Sequence, residues 1–309
     1  MVKYYFRSLR GNTMQSLDTF KPGSWVHVVA PNALELEQLI ERFNLEPGYL
    51  EDALDEDEMA RLETEDGQTY IFIRYAHREA DGSFETKPLL IITTKTAIIS
   101  ISASSMPAFD VLTNGKWTVA TTQKTKLVLL MLQAITEQYD TLIARTSRKI
   151  KSVRSRLREH TVTNQDFVDF FLIEDELNEF ASSLQPNNSI LRRLLRGHHL
   201  QLFEEDQDLV EDLLLSNEQS LENCRSNITA IVGVRDAHNS ISTNRLNQTM
   251  KVLTFATLAV AIPNMFFGLY GMNVPLPMQH FAIAFWVILT TSLVFTLVIF
   301  VSGRKRKLF

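Results

Sequence analysis

From Val252 to Gly303 the chain reads VLTFATLAVAIPNMFFGLYGMNVPLPMQHFAIAFWVILTTSLVFTLVIFVSG, without one Asp, Glu, Lys or Arg, although these four types make up 22% of the whole. A charge-free run of about 52 residues is too long for one buried core helix. A bilayer crossing takes roughly 20 apolar residues, so the run has the length for two. The first predicted span is Val252 to about Tyr270 and the second about Phe281 to Val301. Between them lie residues 271–280, where Gly271, Pro275 and Pro277 predict a turn and not a continuing helix.

Charges outside the run orient it. Arg245 and Lys251 precede the first span, and Arg304, Lys305, Arg306 and Lys307 follow the second. The loop has no Lys or Arg, so the positive-inside rule predicts both termini in the cytosol and the loop outside, in a cell (inner or plasma) membrane. The opening residues MVKYYFRSLRGN carry no apolar signal core, which agrees with a cytosolic N-terminal part. Across 309 residues, one or two domains are expected. The near-zero average hydropathy hides an ordinary polar stretch over residues 1–250 followed by the apolar end. Cys224 stands alone and can form no internal disulfide, in keeping with a reducing compartment. A net charge of −5 excludes a broadly basic nucleic-acid binder. No nucleotide-binding loop of the Gly-x4-Gly-Lys-Ser/Thr type and no nucleophile–base constellation is visible, so neither ATP-driven pumping nor an enzyme is expected.

The first span does not read as a simple anchor. Asn247, Met250, Leu253, Thr257, Ala261, Asn264 and Gly268 fall at helical spacing on one face. Through the bilayer that stripe is mostly small or polar, while Phe255, Leu258, Ile262 and Phe266 lie off it. Asn264 deep in lipid is costly unless it meets protein or water. Two readings fit: small and polar residues also hold membrane helices together, and several copies could turn the stripe inward around a pore. A plain hydrophobic hairpin anchoring a cytosolic domain is a third. The second span is apolar all round (Phe285, Trp286, Leu293, Phe295, Leu297, Phe300), which suits a lipid-facing outer helix.

Tyr270-Gly271-Met272-Asn273 at the outer end of the first of two C-terminal spans resembles the CorA family of magnesium channels. The stretch Asn247-Gln248-Thr249-Met250-Lys251-Val252-Leu253-Thr254, Pro263 ten residues before Asn273, the basic tail and Tyr49-Leu50-Glu51-Asp52 are similar to the family as well. The resemblance implies a homopentameric funnel in which five first spans line a pore and five second spans surround it. Gly271, Met272 and Asn273 would form the selectivity filter, with the Asn273 oxygen facing a hydrated ion at the outer mouth. Mg²⁺ holds its waters tightly, and neutral oxygens can bond those waters without stripping them. A helix C-cap in the left-handed conformation is the plainer role for Asn273. Met250 and Leu253 match an apolar constriction that blocks ions by dewetting, or they simply pack. Asn264 and Gly268 match the middle of the pore. The loop departs from the family: residues Val274 to His280 lack the carboxylate that many members carry.

The remaining chain predicts an α+β fold, with an N-terminal cytosolic mixed α/β domain (residues 1–120), a cytosolic helical hairpin (121–202), a stalk helix continuing into the first membrane helix (203–270), the loop (271–280), the second span (281–301) and a basic tail (302–309). Strands are expected near Lys3–Leu9, Trp25–Ala30, Tyr70–His77, Leu89–Thr93 and Ala97–Ile101, with helices at Ala33–Phe43 and Pro47–Leu54 and turns at Asp66-Gly67 and Asp81-Gly82. A helix over Thr121 to about Glu159, a turn at Thr161–Asn164 and a second helix to about Leu184, broken or kinked at Pro186, follow. The stalk from Phe203 to Tyr270 would be on the order of 100 Å long. Two acidic clusters, Glu51 to Glu58 and Glu204 to Asp212, read as solvated faces by themselves. The resemblance implies more for Asp52 and Asp212, which match carboxylates that share a regulatory Mg²⁺ between subunits. The basic helix Lys124–Arg158 reads as a face balancing acidic neighbours or lying near anionic lipid, not as a nucleic-acid site, and adjacent His198 and His199 make a poor zinc pair. The expected function is passive Mg²⁺ influx, with Co²⁺ or Ni²⁺ compatible. A zinc transporter resembling ZntB and a non-conducting membrane-tethered scaffold are the alternatives.

Overall fold

The structure, a computed structural model, describes residues 1–305 except Asn12, Asp81, residues 159–162, His198 and Gln279. Parts of the predicted turns at 81–82 and 161–164, one member of the His198-His199 pair, and Arg306 and Lys307 of the tail lie outside the described residues. The chain divides into two compact units, Met1–Gly233 and Val234–Phe309.

The first unit is built on a seven-stranded sheet: β1 (Val2–Phe6), β2 (Gln15–Leu17), β3 (Trp25–Val29), β4 (Arg61–Glu65), β5 (Gln68–Arg78), β6 (Phe84–Thr93) and β7 (Ile98–Ser102). The spatial order is β2-β1-β3-β7-β6-β5-β4. Among the described residues β3 and β7 pair in parallel and the other pairings are antiparallel. The crossover between β3 and β7 contains α1 (Ala33–Phe43) and α2 (Pro47–Asp52). A capping box starts α1: Asn32 Oδ1 accepts from the Glu35 amide at 2.8 Å, and a Glu35 oxygen accepts from the Asn32 amide at 3.0 Å. Asn44 ends it in the left-handed conformation, φ 50°. Asp66 (φ 50°) and Gly67 (φ 75°) make the tight turn between β4 and β5, as the dipeptide predicts.

Side-chain alternation gives the sheet two apolar faces. One packs Val26, Val28, Tyr70, Phe72, Leu90, Ile92, Ile99 and Ile101 against Leu39, Phe43 and Leu50 of α1 and α2. The other face meets α4 (Lys124–Arg158) and α5 (Asn164–Leu195), after a short segment with a 3₁₀ turn at Pro107–Phe109 and α3 (Asp110–Thr113). Beyond the end of β4, the backbone of Arg74 in β5 is satisfied by helices: its amide donates to Asn187 Oδ1 (3.1 Å), and its carbonyl accepts from Asn187 Nδ2 (2.9 Å) and the Tyr139 hydroxyl (3.1 Å). The Arg74 guanidinium donates to the carbonyls of Glu56 (2.9 Å), Glu58 (2.7 Å) and Thr86 (2.5 Å). One buried side chain thereby fixes the acidic loop that follows α2.

The long helix α6 (Glu204–Tyr270) starts in the first unit and ends in the second, followed by α7 (Ala284–Lys305). In the first unit, α6 docks on α4 through a polar seam in which Ser216 (2.7 Å) and Ser220 donate to Asp140, and Asn227 Nδ2 donates to Ser147 (2.7 Å). Cys224 is buried, and burial pushes its thiol up to about 12.

Several expectations need correction. Pro186 does not end the second hairpin helix, which runs on to Leu195. Ser183 and Asn187 on either side of the proline are bonded to Thr86 and Arg74, and Leu184, Ile190, Leu191 and Leu194 are buried, so packing outweighs the one missing amide. The helix expected from Phe281 starts at Ala284 and continues to Lys305. Strands β2 and β4, short and polar at the sheet's edges, went unread because they lack an apolar alternation.

Candidate functional site

The second unit holds the apolar part of α6 and all of α7, two helices long and apolar enough to cross a membrane. They meet along a narrow seam. On α6 the half-buried positions are Phe255, Ala259, Ile262, Pro263 and Phe266. On α7 the seam includes buried Ala284 and Ser292, with the Phe266 and Phe295 rings 6.0 Å apart. Small residues let the two backbones approach. The second span therefore has one packed face rather than a uniform surface, and of the residues read as lying off the stripe, Phe255, Ile262 and Phe266 are half-buried while Leu258 is exposed.

The stripe read from the sequence lies elsewhere. Asn247, Met250, Leu253, Thr257, Ala261, Asn264 and Gly268 are all exposed along α6. At roughly 100° per residue, the mean direction of Leu253, Thr257, Ala261, Asn264 and Gly268 lies about 170° from that of Phe255, Ala259, Ile262 and Phe266. The polar stripe and the α7 seam thus occupy opposite sides of the helix. Thr257 Oγ1 donates to the Leu253 carbonyl at 2.9 Å, which quiets its hydroxyl proton and leaves its oxygen as an acceptor. A Cβ built on Gly268 meets nothing within 4 Å.

Past Tyr270 the chain tightens. The Gly271 amide donates to the Phe267 carbonyl (2.9 Å) and the Met272 amide to the Leu269 carbonyl (3.3 Å). A Cβ on Gly271 would sit 3.2 Å from the Phe267 carbonyl oxygen, so this position favours glycine. Met272 and Asn273 are exposed just beyond the helix end. Asn273 does not take the left-handed cap conformation; among the described residues of this loop, Met278 has a positive φ, 68°. The Tyr270 hydroxyl donates to the Pro277 carbonyl at 3.2 Å and ties the far side of the loop to the end of α6. The sequence offered no signal for that tie beyond the presence of a tyrosine and a proline turn.

Asp52 and Asp212 both lie in the first unit, and among the described residues no hydrogen bond or ion pair joins them. Asp212 is exposed on α6. Asp52, at the end of α2, receives the Arg61 guanidinium at 2.6 Å. Arg61 also holds Glu58 and lies over the Phe72 ring, 4.2 Å from its centroid. The partnership of Asp52 with Arg61 was missed because the two sit on different elements, nine residues apart. Among the described residues no group of three or more His, Cys, Asp or Glu side chains could hold a metal ion within one chain.

Comparison with known proteins agrees with this layout. The family model described as CorA-like Mg2+ transporter protein matches residues 21–305. The cobalt/magnesium transport protein CorA of Methanocaldococcus jannaschii is 25% identical over 292 residues, covering 91% of this chain and 90% of that protein. Its namesake from Thermotoga maritima is 20% identical over 318 residues, covering 98% and 89%. The complete structure of the M. jannaschii CorA magnesium transporter superposes with a TM-score of 0.86 at 21% identity, over 98% of this chain and 97% of the other. The ZntB cytoplasmic domain from Vibrio parahaemolyticus is more distant, with a TM-score of 0.64 at 11% identity over 79% of this chain and 97% of that domain. A family match over most of the chain, with two membrane-length helices in place, leads to one conclusion: this chain belongs to the CorA-like Mg2+ transporter family, whose members are membrane transporters and not enzymes.

Proposed function

We propose that five copies of this chain form a channel that carries Mg²⁺ passively into the cytosol, with both termini on the cytosolic side. The observation that carries the reading is the separation of faces on α6: the polar stripe stays uncovered while the opposite side packs on α7. Copies related by rotation would close the stripes around an axis and leave α7 outside, toward lipid. Asn264 would then form one polar ring within the bore and Asn273 another at the mouth. Amide and carbonyl oxygens suit an ion that keeps its water, because they bond the hydration shell without stripping it. Met250 and Leu253, 52% and 59% exposed in the single chain, would form an apolar constriction that dewets when narrow. The name of the M. jannaschii relative supports Co²⁺ as a second cargo.

Asp52 and Asp212 would share a regulatory Mg²⁺ across neighbouring subunits, cross-linking the ring when cytosolic Mg²⁺ is high. The ion can shift the equilibrium only by its preference for the closed arrangement. Arg61 already neutralises Asp52 in the single chain, so metal binding there competes with an ion pair.

The test is Mg²⁺ flux into liposomes carrying the purified protein or its Asn273→Ala variant. Wild-type flux that falls in the variant is expected. A vesicle impermeable to Mg²⁺ but permeable to Zn²⁺ supports the zinc-transporter reading, and one impermeable to both supports the scaffold reading.

A further inference from the structure

Helices α4 and α5 do not cover the whole of their sheet face. They pack on the half built by β4, β5 and β6, while over β1 and β3 the cover is the segment Ser105–Thr113. Beneath that thinner cover lies a cavity of about 400 Å³, lined among others by Tyr5, Trp25, His27, Met106 and Phe109, with Lys3 and Asp110 at its edge. The volume falls within the usual range for small-molecule pockets. Strand register explains the grouping: Tyr5 pairs with Trp25 and Lys3 with His27 across β1 and β3, so all four side chains share one face. Trp25 and Phe109 are buried and form the floor, their rings 5.7 Å apart and nearly perpendicular at 74°. Tyr5 and His27 are half-buried.

A hydrogen-bond chain runs from Trp25 through Ser100 to His27. Trp25 Nε1, which can only donate, donates to Ser100 Oγ at 2.8 Å. Ser100 Oγ lies 2.9 Å from His27 Nδ1. Ser100 has one proton to give and can accept from the indole at the same time; given to Nδ1, that proton leaves the hydrogen of the neutral ring on Nε2. Burial, with the Lys3 charge second, holds His27 down at about 4, so the ring is neutral near pH 7. Among the described residues Nε2 has no hydrogen-bond partner. With its hydrogen on Nε2, His27 offers the cavity one donor, and the rim charges offset, Lys3 against Asp110 and the Met1 ammonium against Glu35 at 3.2 Å, which fits an uncharged ligand.

We propose that Ser100 donates to His27 Nδ1 and that this cavity binds a neutral planar heteroaromatic molecule whose ring nitrogen accepts a hydrogen bond from His27 Nε2 while one face lies against half-buried Tyr5. Preference for the heterocycle over its all-carbon isostere comes from that one bond, since both would fill the same apolar space.

The probe is nicotinamide, with benzamide as the ring-carbon isostere, both freely soluble and uncharged. Saturation-transfer NMR on the full-length protein in detergent reads binding of each. Nicotinamide is expected to bind saturably, about five-fold more tightly than benzamide, and His27→Phe should remove that preference. Ser105→Trp, at an exposed rim position, should abolish binding of both without touching the core, which guards against a variant that fails to fold. The proposal is overturned by no saturable signal up to about 20 mM nicotinamide, by equal binding of the two amides, or by unchanged binding in Ser105→Trp.

Discussion

Replacing Gly268 by leucine separates what one chain needs from what several need. Within a single chain the site is open: an added Cβ meets nothing within 4 Å, and the position lies away from the α7 seam. Leucine is also a better helix former than glycine by about 0.8 kcal/mol on scales from soluble helices, so the helix should not weaken. A lone hairpin therefore tolerates Gly268→Leu with unchanged or slightly raised stability. If the stripe faces a shared axis, the same change places a branched apolar side chain from every copy into the bore. It removes open space and adds a greasy ring where a hydrated ion must pass, and dewetting should cut Mg²⁺ flux about tenfold or more. The assay is Mg²⁺ uptake into proteoliposomes at matched protein load, alongside size-exclusion and thermal unfolding of the same preparation. Wild-type flux from a reconstituted Gly268→Leu protein would refute the reasoning, because no reading with Gly268 in the bore allows it.

Other perturbations test neighbouring parts. Gly271→Ala, whose Cβ would sit 3.2 Å from the Phe267 carbonyl, should shift the start of the loop and reduce flux without unfolding the first unit; transport equal to wild type counts against a tight filter at Gly271. Arg61→Gln frees the Asp52 carboxylate, so Mg²⁺ should protect the protein from proteolysis at a concentration about two- to five-fold lower, the worth of a partly exposed ion pair; an unchanged midpoint removes Asp52 from the regulatory site. For His27, the folded value of about 4 lies below the ordinary 6.5, so the unfolded chain takes the proton first. Its contribution to stability is complete above about pH 6.5 and drains away as pH falls toward 4. Wild type should lose about 2 kcal/mol more than His27→Phe between about pH 7.5 and pH 5 in urea unfolding. Equal acid sensitivity would show that burial does not hold the imidazole neutral.

The membrane half was open to reading because charge is so costly in lipid that its absence over residues 252–303 is itself a signal. Apolar runs between turn signals revealed the central strands β3, β5, β6 and β7, whose side chains are buried on both faces, while β2 and β4, whose polar residues sit at edges, gave no such run. Pro186 misled because a local rule about prolines cannot weigh the bonds that Ser183 and Asn187 make to a distant strand. The polar stripe on α6 followed from spacing alone, but the tie from Tyr270 to Pro277 and the partnering of Asp52 by Arg61 depend on how separate elements meet, which no local pattern encodes.

The central claim is that the side of α6 turned away from α7 lines a water-filled path. Single cysteines at Thr257, Ala261, Asn264 and Gly268, compared with Phe255, Ala259 and Ile262, test it directly, and Cys224 can stay because it is buried with its thiol pushed up to about 12. A charged, water-soluble methanethiosulfonate reagent should react at the first four positions and block Mg²⁺ flux, while leaving the seam positions and their flux untouched. Reaction at the seam instead, or no reaction along the stripe in a conducting protein, would contradict the account.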